Sequence, residues 1–148
     1  MLRKTHLAIG LAAAIYFLPH VTDKTIFFFG VIISTLLPDL DKMFGFLRFP
    51  RKDKSGTPNH RGFMHSYTFC ILIAVLLAMF YPILALSFFL GYSLHLFADS
   101  FTVKGIKPFW PITFVSSGKI TTGSKVEDVI FWIFVLIDVF LAVFLFFK

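Results

Sequence analysis

The stretch GYSLHLFADSFT, residues 91–102, places a histidine and an acid at the end of a long apolar run. These two residues, His95 and Asp99, are four positions apart, so on a helix their side chains share one face. Imidazole and carboxylate groups together suit Zn²⁺, Mn²⁺ or Fe²⁺. Ionisable groups in an apolar segment are costly unless they have partners, so we expect both to face a common polar site. The pair therefore predicts a metal-binding site at this helix end.

A second pair of candidate ligands follows another apolar segment. Asp39 and Asp41 flank a leucine directly after Pro38, where a helix is expected to end. In an extended or turn conformation both carboxylates point the same way and can approach one centre. Several carboxylates can hold two metal ions, which activate a water and clamp a phosphate. The simpler interpretation is that the two acids only terminate the helix.

The composition indicates where these residues must lie. Of the 148 residues, 57% are hydrophobic, 22 are Phe, and only 15% are charged. Because a soluble domain keeps about a quarter of its residues charged, this chain is predicted to be an integral membrane protein. Its length predicts a single domain, residues 1–148. The one cysteine, Cys70, lies in an apolar run, which excludes a disulfide framework.

The apolar segments predict an all-α integral membrane helical bundle of about five helices with two cytoplasmic loops. They cover residues 6–18, 24–37, 67–98 and 128–147. The stretch 67–98 exceeds the roughly 20 residues of one spanning helix, so we expect two helices folded back at Tyr81–Pro82. The first four helices are short for a hydrocarbon core about 30 Å thick, and the last is the best spanning candidate.

Five crossings place most of the basic residues on one side of the membrane. The N-terminus and the loops 38–65 and 99–127 then share a side that carries 12 of the 14 Lys and Arg. The positive-inside rule makes that side cytoplasmic. The same alternation gathers nine titratable residues there: His6, Asp39, Asp41, His60, His65, His95, Asp99, Glu127 and Asp128. Asp138 lies deep in the last segment, where it is expected to make a polar contact between helices.

The loop before the third helix adds residues that suit an anionic ligand. Arg61 is a fork-shaped donor that matches a phosphate, with Lys42 or Lys104 as further cations. A lipid-headgroup contact without catalysis is the alternative for Arg61. Ser66 either caps the third helix or donates a hydrogen bond to a ligand.

The acids at the start of the last helix have two interpretations. A free carboxylate, Asp41 or Glu127, is the expected general base of a hydrolytic reaction. Glu127 and Asp128 also suit a plain helix N-terminus, where acids interact favourably with the helix dipole.

Three motifs resemble the YdjM-like family: LLPDLD at 36–41, HRGFMHS at 60–66 and the stretch from GYSLHLFADSFT to KPFWP at 91–111. Proteins of that family are described as membrane-bound, metal-dependent hydrolases, some of them LexA-regulated. The resemblance implies metal ligands at His6, Asp39, Asp41, His65, His95 and Asp99. It implies further polar site positions at Arg61, Ser66, Thr102 and Glu127. Two positions depart from the family pattern. Lys42 stands where a histidine is common, and Met64 stands where a threonine is common.

A more distant similarity, to the zinc-dependent phospholipase C enzymes, lies in the His-x-x-x-Asp pair on one helix. Together these features predict a membrane-bound metal-dependent hydrolase acting on a phosphoester, with phospholipid as a candidate, at the cytoplasmic interface. One or two divalent ions are expected, Zn²⁺ before Mn²⁺ or Fe²⁺, with a metal-activated water. The expected substrate-binding residues are Arg61, Ser66, Lys42 and Thr102, and the expected catalytic residues are Asp41, Glu127 and Arg61. Membrane lipids and the anionic substrate are the expected partners, nucleic acid is not, and the oligomeric state is left open.

Two other classes of protein stay open at this point. The first is a membrane transporter or ion-binding protein that uses the same ligands. It is disfavoured because transport sites usually lie near the midplane between repeats. The second is a non-catalytic lipid-binding membrane protein whose polar helix ends only contact headgroups.

Overall fold

The described residues form five α-helices, as the sequence predicts. The structure, a computed structural model, describes residues 1–40 and 63–147. The helices are α1 (Arg3–Phe17), α2 (Lys24–Leu36), α3 (Tyr67–Ala78), α4 (Pro82–Ser100) and α5 (Lys125–Phe146). Short 3-10 helices cover Leu18–His20, Leu37–Leu40 and Phe63–His65. The described ranges contain no strand. Two isolated β-bridges, Thr102–Ile120 and Ile106–Ser116, lie within the segment that connects α4 to α5.

The fold-back at Tyr81–Pro82 is confirmed. The end of α3 is closed by the Tyr81 amide, which donates to the carbonyl of Leu77 at 2.8 Å. Pro82 is the first residue of α4, a position where its missing N–H costs nothing and its fixed φ suits a helix. Because the helix begins at the proline and continues through Ser100, α4 reaches 19 residues and is longer than predicted.

Small residues let α2 and α4 approach one another closely. A Cβ atom on Gly30 of α2 would lie 2.2 Å from the Ser87 Oγ of α4. A Cβ on Gly91 of α4 would lie 2.3 Å from the Val31 carbonyl oxygen of α2. Neither position accommodates a larger residue without a shift, and at Gly91 the neighbouring atoms are backbone, so α2 and α4 pack closely there, as helices in membranes commonly do.

The buried apolar core lies between α3, α4 and the segment that follows α4. It contains Cys70, Phe88, Tyr92, Leu96 and Ile106. Cys70 is buried with a free thiol. This core fixes the last turns of α4, where His95 and Asp99 lie.

Within residues 1–40 and 63–147, two helices are long and apolar enough to cross a membrane by length and composition, α4 and α5. The apolar side chains of α5 are largely exposed on the protein surface, with Leu136 at 68% and Phe140 at 69%. Such a surface is unfavourable in water and suits contact with lipid. The other helices, α1 to α3, have 15, 13 and 12 residues.

Candidate metal centre

Four helix ends bring five of the predicted metal ligands together. His6 lies in the first turns of α1, Asp39 in the 3-10 turn after α2, and His65 directly before α3. His95 and Asp99 lie in the last turns of α4. All five side chains are buried, with exposed fractions between 0% and 3%. This cluster, which we call the His/Asp cluster, is the polar site that the sequence predicts.

The ligand atoms of the His/Asp cluster lie within a few ångströms of one another. The Nε2 atom of His95 is 3.9 Å from Asp39 Oδ1 and 3.8 Å from Asp99 Oδ2. The Nε2 atom of His6 is 3.3 Å from Asp99 Oδ1. The cluster contains two groups of three residues, His6–Asp39–His95 and His65–His95–Asp99. In each group, the three ligand atoms lie within 4.8 Å of one another. Both groups include His95, so they are two sides of one centre.

A backbone carbonyl fixes which nitrogen of His95 faces the cluster. The Nδ1 atom lies 2.7 Å from the carbonyl oxygen of Thr35. A carbonyl only accepts, so Nδ1 carries the hydrogen and donates, which leaves Nε2 with its lone pair toward the two carboxylates. Histidines that bind metals in proteins are commonly oriented in this way by a second hydrogen bond.

The donor set and its spacing fit a divalent ion of the zinc type. Two atoms bound to one ion at about 2.1 Å in tetrahedral geometry are separated by roughly 3.4 Å. The three distances of 3.3, 3.8 and 3.9 Å are close to that separation. Within the described ranges, both ring nitrogens of His6 and the Nε2 atom of His95 are buried without a hydrogen-bond partner. Buried polar atoms are normally satisfied, so these nitrogens are consistent with a bound cation.

Thr35, which holds His95 in place, has no direct signal in the sequence. It is fully buried, and its Oγ1 donates to the Val31 carbonyl at 2.8 Å. Gly10 of α1 and Gly91 of α4 both pack against it, and a Cβ on these glycines would lie 2.4 Å and 3.0 Å from its Oγ1. Gly91 precedes His95 by one helical turn, and this spacing was the available signal for a close helix contact.

Glu127 lies outside both groups and is occupied by other contacts. It is fully buried, and its carboxylate accepts hydrogen bonds from the Leu2 amide, from Thr5 Oγ1 at 3.1 Å and from the Gly123 amide at 2.6 Å. These bonds fasten the start of α1 to the start of α5. Next to this junction, the amino group of Met1 contacts Asp99. Ser124 caps α5, because its Oγ accepts from the Glu127 amide at 3.4 Å, and the spacing Ser124-x-x-Glu127 indicates this local cap but not the contacts of Glu127 with α1.

The two predicted substrate-binding residues within the described ranges are buried and make local hydrogen bonds. Ser66 Oγ accepts from the Phe69 amide at 3.2 Å and donates to the Phe63 carbonyl at 2.6 Å, so it caps α3. Thr102 Oγ1 donates to the Asp99 carbonyl at 2.7 Å. Both side chains are 0% exposed. They support the backbone on either side of the His/Asp cluster.

The remaining predicted residues lie apart from the cluster or outside the described ranges. Asp128 forms a half-exposed ion pair with Lys4 at 2.8 Å. Asp138 is buried in α5, and its Oδ1 has no hydrogen-bond partner among the described residues. Lys104 is exposed on the segment after α4. The predictions for Asp41, Lys42, His60 and Arg61 fall outside the described residues.

An all-α bundle with a polar cluster at its helix ends, and two helices apolar enough to cross a membrane, fits an integral membrane protein. A family model described as YdjM inner membrane protein matches residues 1–147, and the chain belongs to that family. This match confirms the resemblance inferred from the three motifs. No curated protein and no solved structure matches the chain.

Proposed function

We propose that this protein is a membrane-bound, metal-dependent hydrolase that acts on a phosphoester, with phospholipid headgroups as the candidate substrates. The observation that carries the proposal is the His/Asp cluster, in which three imidazoles and two carboxylates are buried with their ligand atoms close together. Burying so many ionisable groups is costly, and a cation that they share offsets that cost. A site of this composition at the end of a membrane bundle suits hydrolysis at the membrane surface.

The residues of the cluster would hold the ion as follows. His95, oriented by Thr35, offers one nitrogen, and His6 and His65 offer one each. Asp39 and Asp99 supply the negative charge. When bound, a Zn²⁺, Mn²⁺ or Fe²⁺ ion would lower the pKa of a water molecule and polarise the phosphoester. Because His95 has a single nitrogen to offer, it can bind only one ion, and any second ion would depend on the other ligands of the cluster.

Proton transfer and substrate binding fall to residues around the cluster. The three donors to Glu127 favour a positioning role for it, which leaves Asp41 as the candidate general base. Arg61 and Lys42 are the candidate cations for the phosphoryl group, and exposed Lys104 is a third. Ser66 and Thr102 would act by holding the ends of α3 and α4, beside His65 and Asp99.

The orientation that we propose places the cluster on the cytoplasmic side. The helix ends that form the cluster belong to the same side as the two loops that carry most of the Lys and Arg. Basic loops are retained in the cytoplasm during insertion. The substrate would therefore be a phosphoester of the inner leaflet or of the cytoplasm.

A reconstituted hydrolysis assay tests the proposed activity. Purified protein in vesicles of phosphatidylglycerol and phosphatidylethanolamine is given a chelator, and then Zn²⁺ or Mn²⁺ is added back. We expect release of phosphate or headgroup that the chelator abolishes and the metal restores. The double variant His95→Ala, Asp99→Ala should be inactive, whereas Asp128→Asn, in the exposed pair with Lys4, should be active. Release that is equal in wild type and the double variant would reject the proposal.

A further inference from the structure

The segment between α4 and α5, residues 101–124, exposes several large apolar side chains. Exposed fractions range from 39% for Trp110 to 62% for Ile112 and Phe114. Phe109, at 54%, and Val115, at 48%, are exposed as well. Clusters of exposed aromatic and aliphatic side chains mark a surface that is covered by a partner or by lipid.

This segment has an ordered backbone that presents those side chains. Ile106 and Ser116 exchange two backbone hydrogen bonds of 2.8 and 2.9 Å. The segment is also fastened to the bundle, because the Tyr67 amide at the start of α3 donates to the Pro108 carbonyl at 2.8 Å. The Trp110 ring packs edge-on against Phe63, with ring centroids 4.9 Å apart. The apolar surface is therefore held in a fixed relation to the helices, and we call residues 101–124 the platform.

The apolar surface of the platform continues from a helix that is long enough to span the membrane. Phe97, 56% exposed in the last turns of α4, packs edge-on against Phe101, 47% exposed at the start of the platform. The centroids of the two rings are 4.9 Å apart. The exposed apolar surface at the end of α4 is thus in contact with the start of the platform.

The charge of the platform matches an anionic lipid surface. Residues 101–124 contain Lys104, Lys107 and Lys119 and no acidic residue. Lysines together with tryptophan and phenylalanine are typical of segments at the level of the lipid headgroups. Lysines close to the membrane are attracted by anionic lipids.

The backbone of the platform limits how deep it can lie. Non-helical backbone leaves N–H and C=O groups that the hydrocarbon core cannot satisfy, so exposed irregular segments do not occur there. We propose that the platform lies in the headgroup layer of an anionic leaflet, with Trp110, Phe109 and Phe114 reaching the upper acyl chains. This would hold the end of α4 at the membrane surface. The inference does not depend on hydrolysis.

Tryptophan fluorescence of the full chain in vesicles tests this inference. The protein has two tryptophans, so Trp132→Phe leaves Trp110 as the only one. The variant is placed in phosphatidylcholine–phosphatidylglycerol vesicles with bromine either near the headgroup end of the acyl chain or near the bilayer centre. We expect the shallow bromine to quench Trp110 at least about twofold more than the deep one, with weak quenching by aqueous iodide. Trp110→Phe, which reports Trp132 within α5, is the matched reference for a spanning helix.

The requirement for anionic lipid is tested by changing the lipid charge and the lysines of the platform. Omitting phosphatidylglycerol should reduce the quenching of Trp110 by shallow bromine, and Lys104→Gln, Lys107→Gln, Lys119→Gln should remove that dependence on lipid charge. Quenching by iodide but not by bromine would place the platform in water and overturn the inference. Shielding from both quenchers would overturn it as well, because protein, from the same chain or from a second copy, would then cover the surface. If the quenching of Trp110 in the Trp132→Phe variant does not change when phosphatidylglycerol is omitted, the requirement for anionic lipid is overturned.

Discussion

The Nδ1 atom of His95 donates a hydrogen bond of 2.7 Å to the carbonyl oxygen of Thr35, which joins α4 to α2 in the buried interior. The bond fixes the imidazole so that Nε2 points to Asp39 and Asp99. The geometry of the His/Asp cluster thus depends on how closely two helices approach one another. The same dependence makes some residues without ligand atoms important for the site.

Gly91 is the clearest of these residues. A Cβ there would lie 2.3 Å from the Val31 carbonyl oxygen and 3.0 Å from the Thr35 amide nitrogen, so Gly91→Ala must push α4 away from α2. We expect a loss of about 1–3 kcal/mol in the free energy of unfolding. Because the Thr35–His95 bond is also disturbed, metal affinity should fall about tenfold or more. Detergent-based unfolding and metal titration measure the two effects.

Ser93→Ala is the matched control for Gly91→Ala, since Ser93 lies on the same helix and its hydroxyl, among the described residues, makes only a local bond to the Leu90 carbonyl. It should leave metal affinity unchanged. If Gly91→Ala binds metal as tightly as Ser93→Ala does, the close approach of α2 and α4 is not what positions His95.

Glu127 and Asp128 are neighbouring acids with different expected contributions to stability. Glu127→Gln replaces a carboxylate that accepts three hydrogen bonds, so we expect a loss of about 1–3 kcal/mol in the free energy of unfolding. Asp128→Asn removes a half-exposed ion pair with Lys4, which is worth about 0–1 kcal/mol. Unfolding of both variants in the same detergent measures the difference. Equal stabilities would contradict the positioning role of Glu127.

The orientation of the bundle can be tested by labelling in cells. Thr122, just before α5, and His20, after α1, are both exposed and lie at opposite ends of the helices. In a Cys70→Ala background, Thr122→Cys should react with a membrane-impermeant maleimide only after the cells are permeabilised. His20→Cys should react in intact cells. The reverse pattern would place the His/Asp cluster on the outer side of the membrane.

The sequence predicted the helix ends well because strong local signals mark them. Pro82 marks the fold-back, and the alternation of crossings brings His6, Asp39, His65 and the His95–Asp99 pair to one end of the bundle. The hydrogen bond from His95 to the Thr35 carbonyl could not be predicted from local sequence signals. The role of Thr35 comes from a backbone carbonyl, which every residue has, and depends on the distance between two helices.

Glu127 illustrates a different limit. The sequence allowed two roles for it, general base and partner of a helix N-terminus, because both use an acid at the start of α5. Its contacts with Leu2 and Thr5 join segments more than a hundred positions apart, and no local pattern specifies them. Long-range pairing of this kind becomes visible only once the helices are packed.

The metal content of the purified protein tests the central claim most directly. Wild type, the double variant His95→Ala, Asp99→Ala and the control Asp128→Asn are purified without added chelator and measured by mass spectrometry of the elements. We predict a near-stoichiometric divalent metal in wild type and in Asp128→Asn, and a loss of about tenfold or more in the double variant. Equal metal content in all three proteins, whether negligible or stoichiometric, would contradict a metal centre at His95 and Asp99.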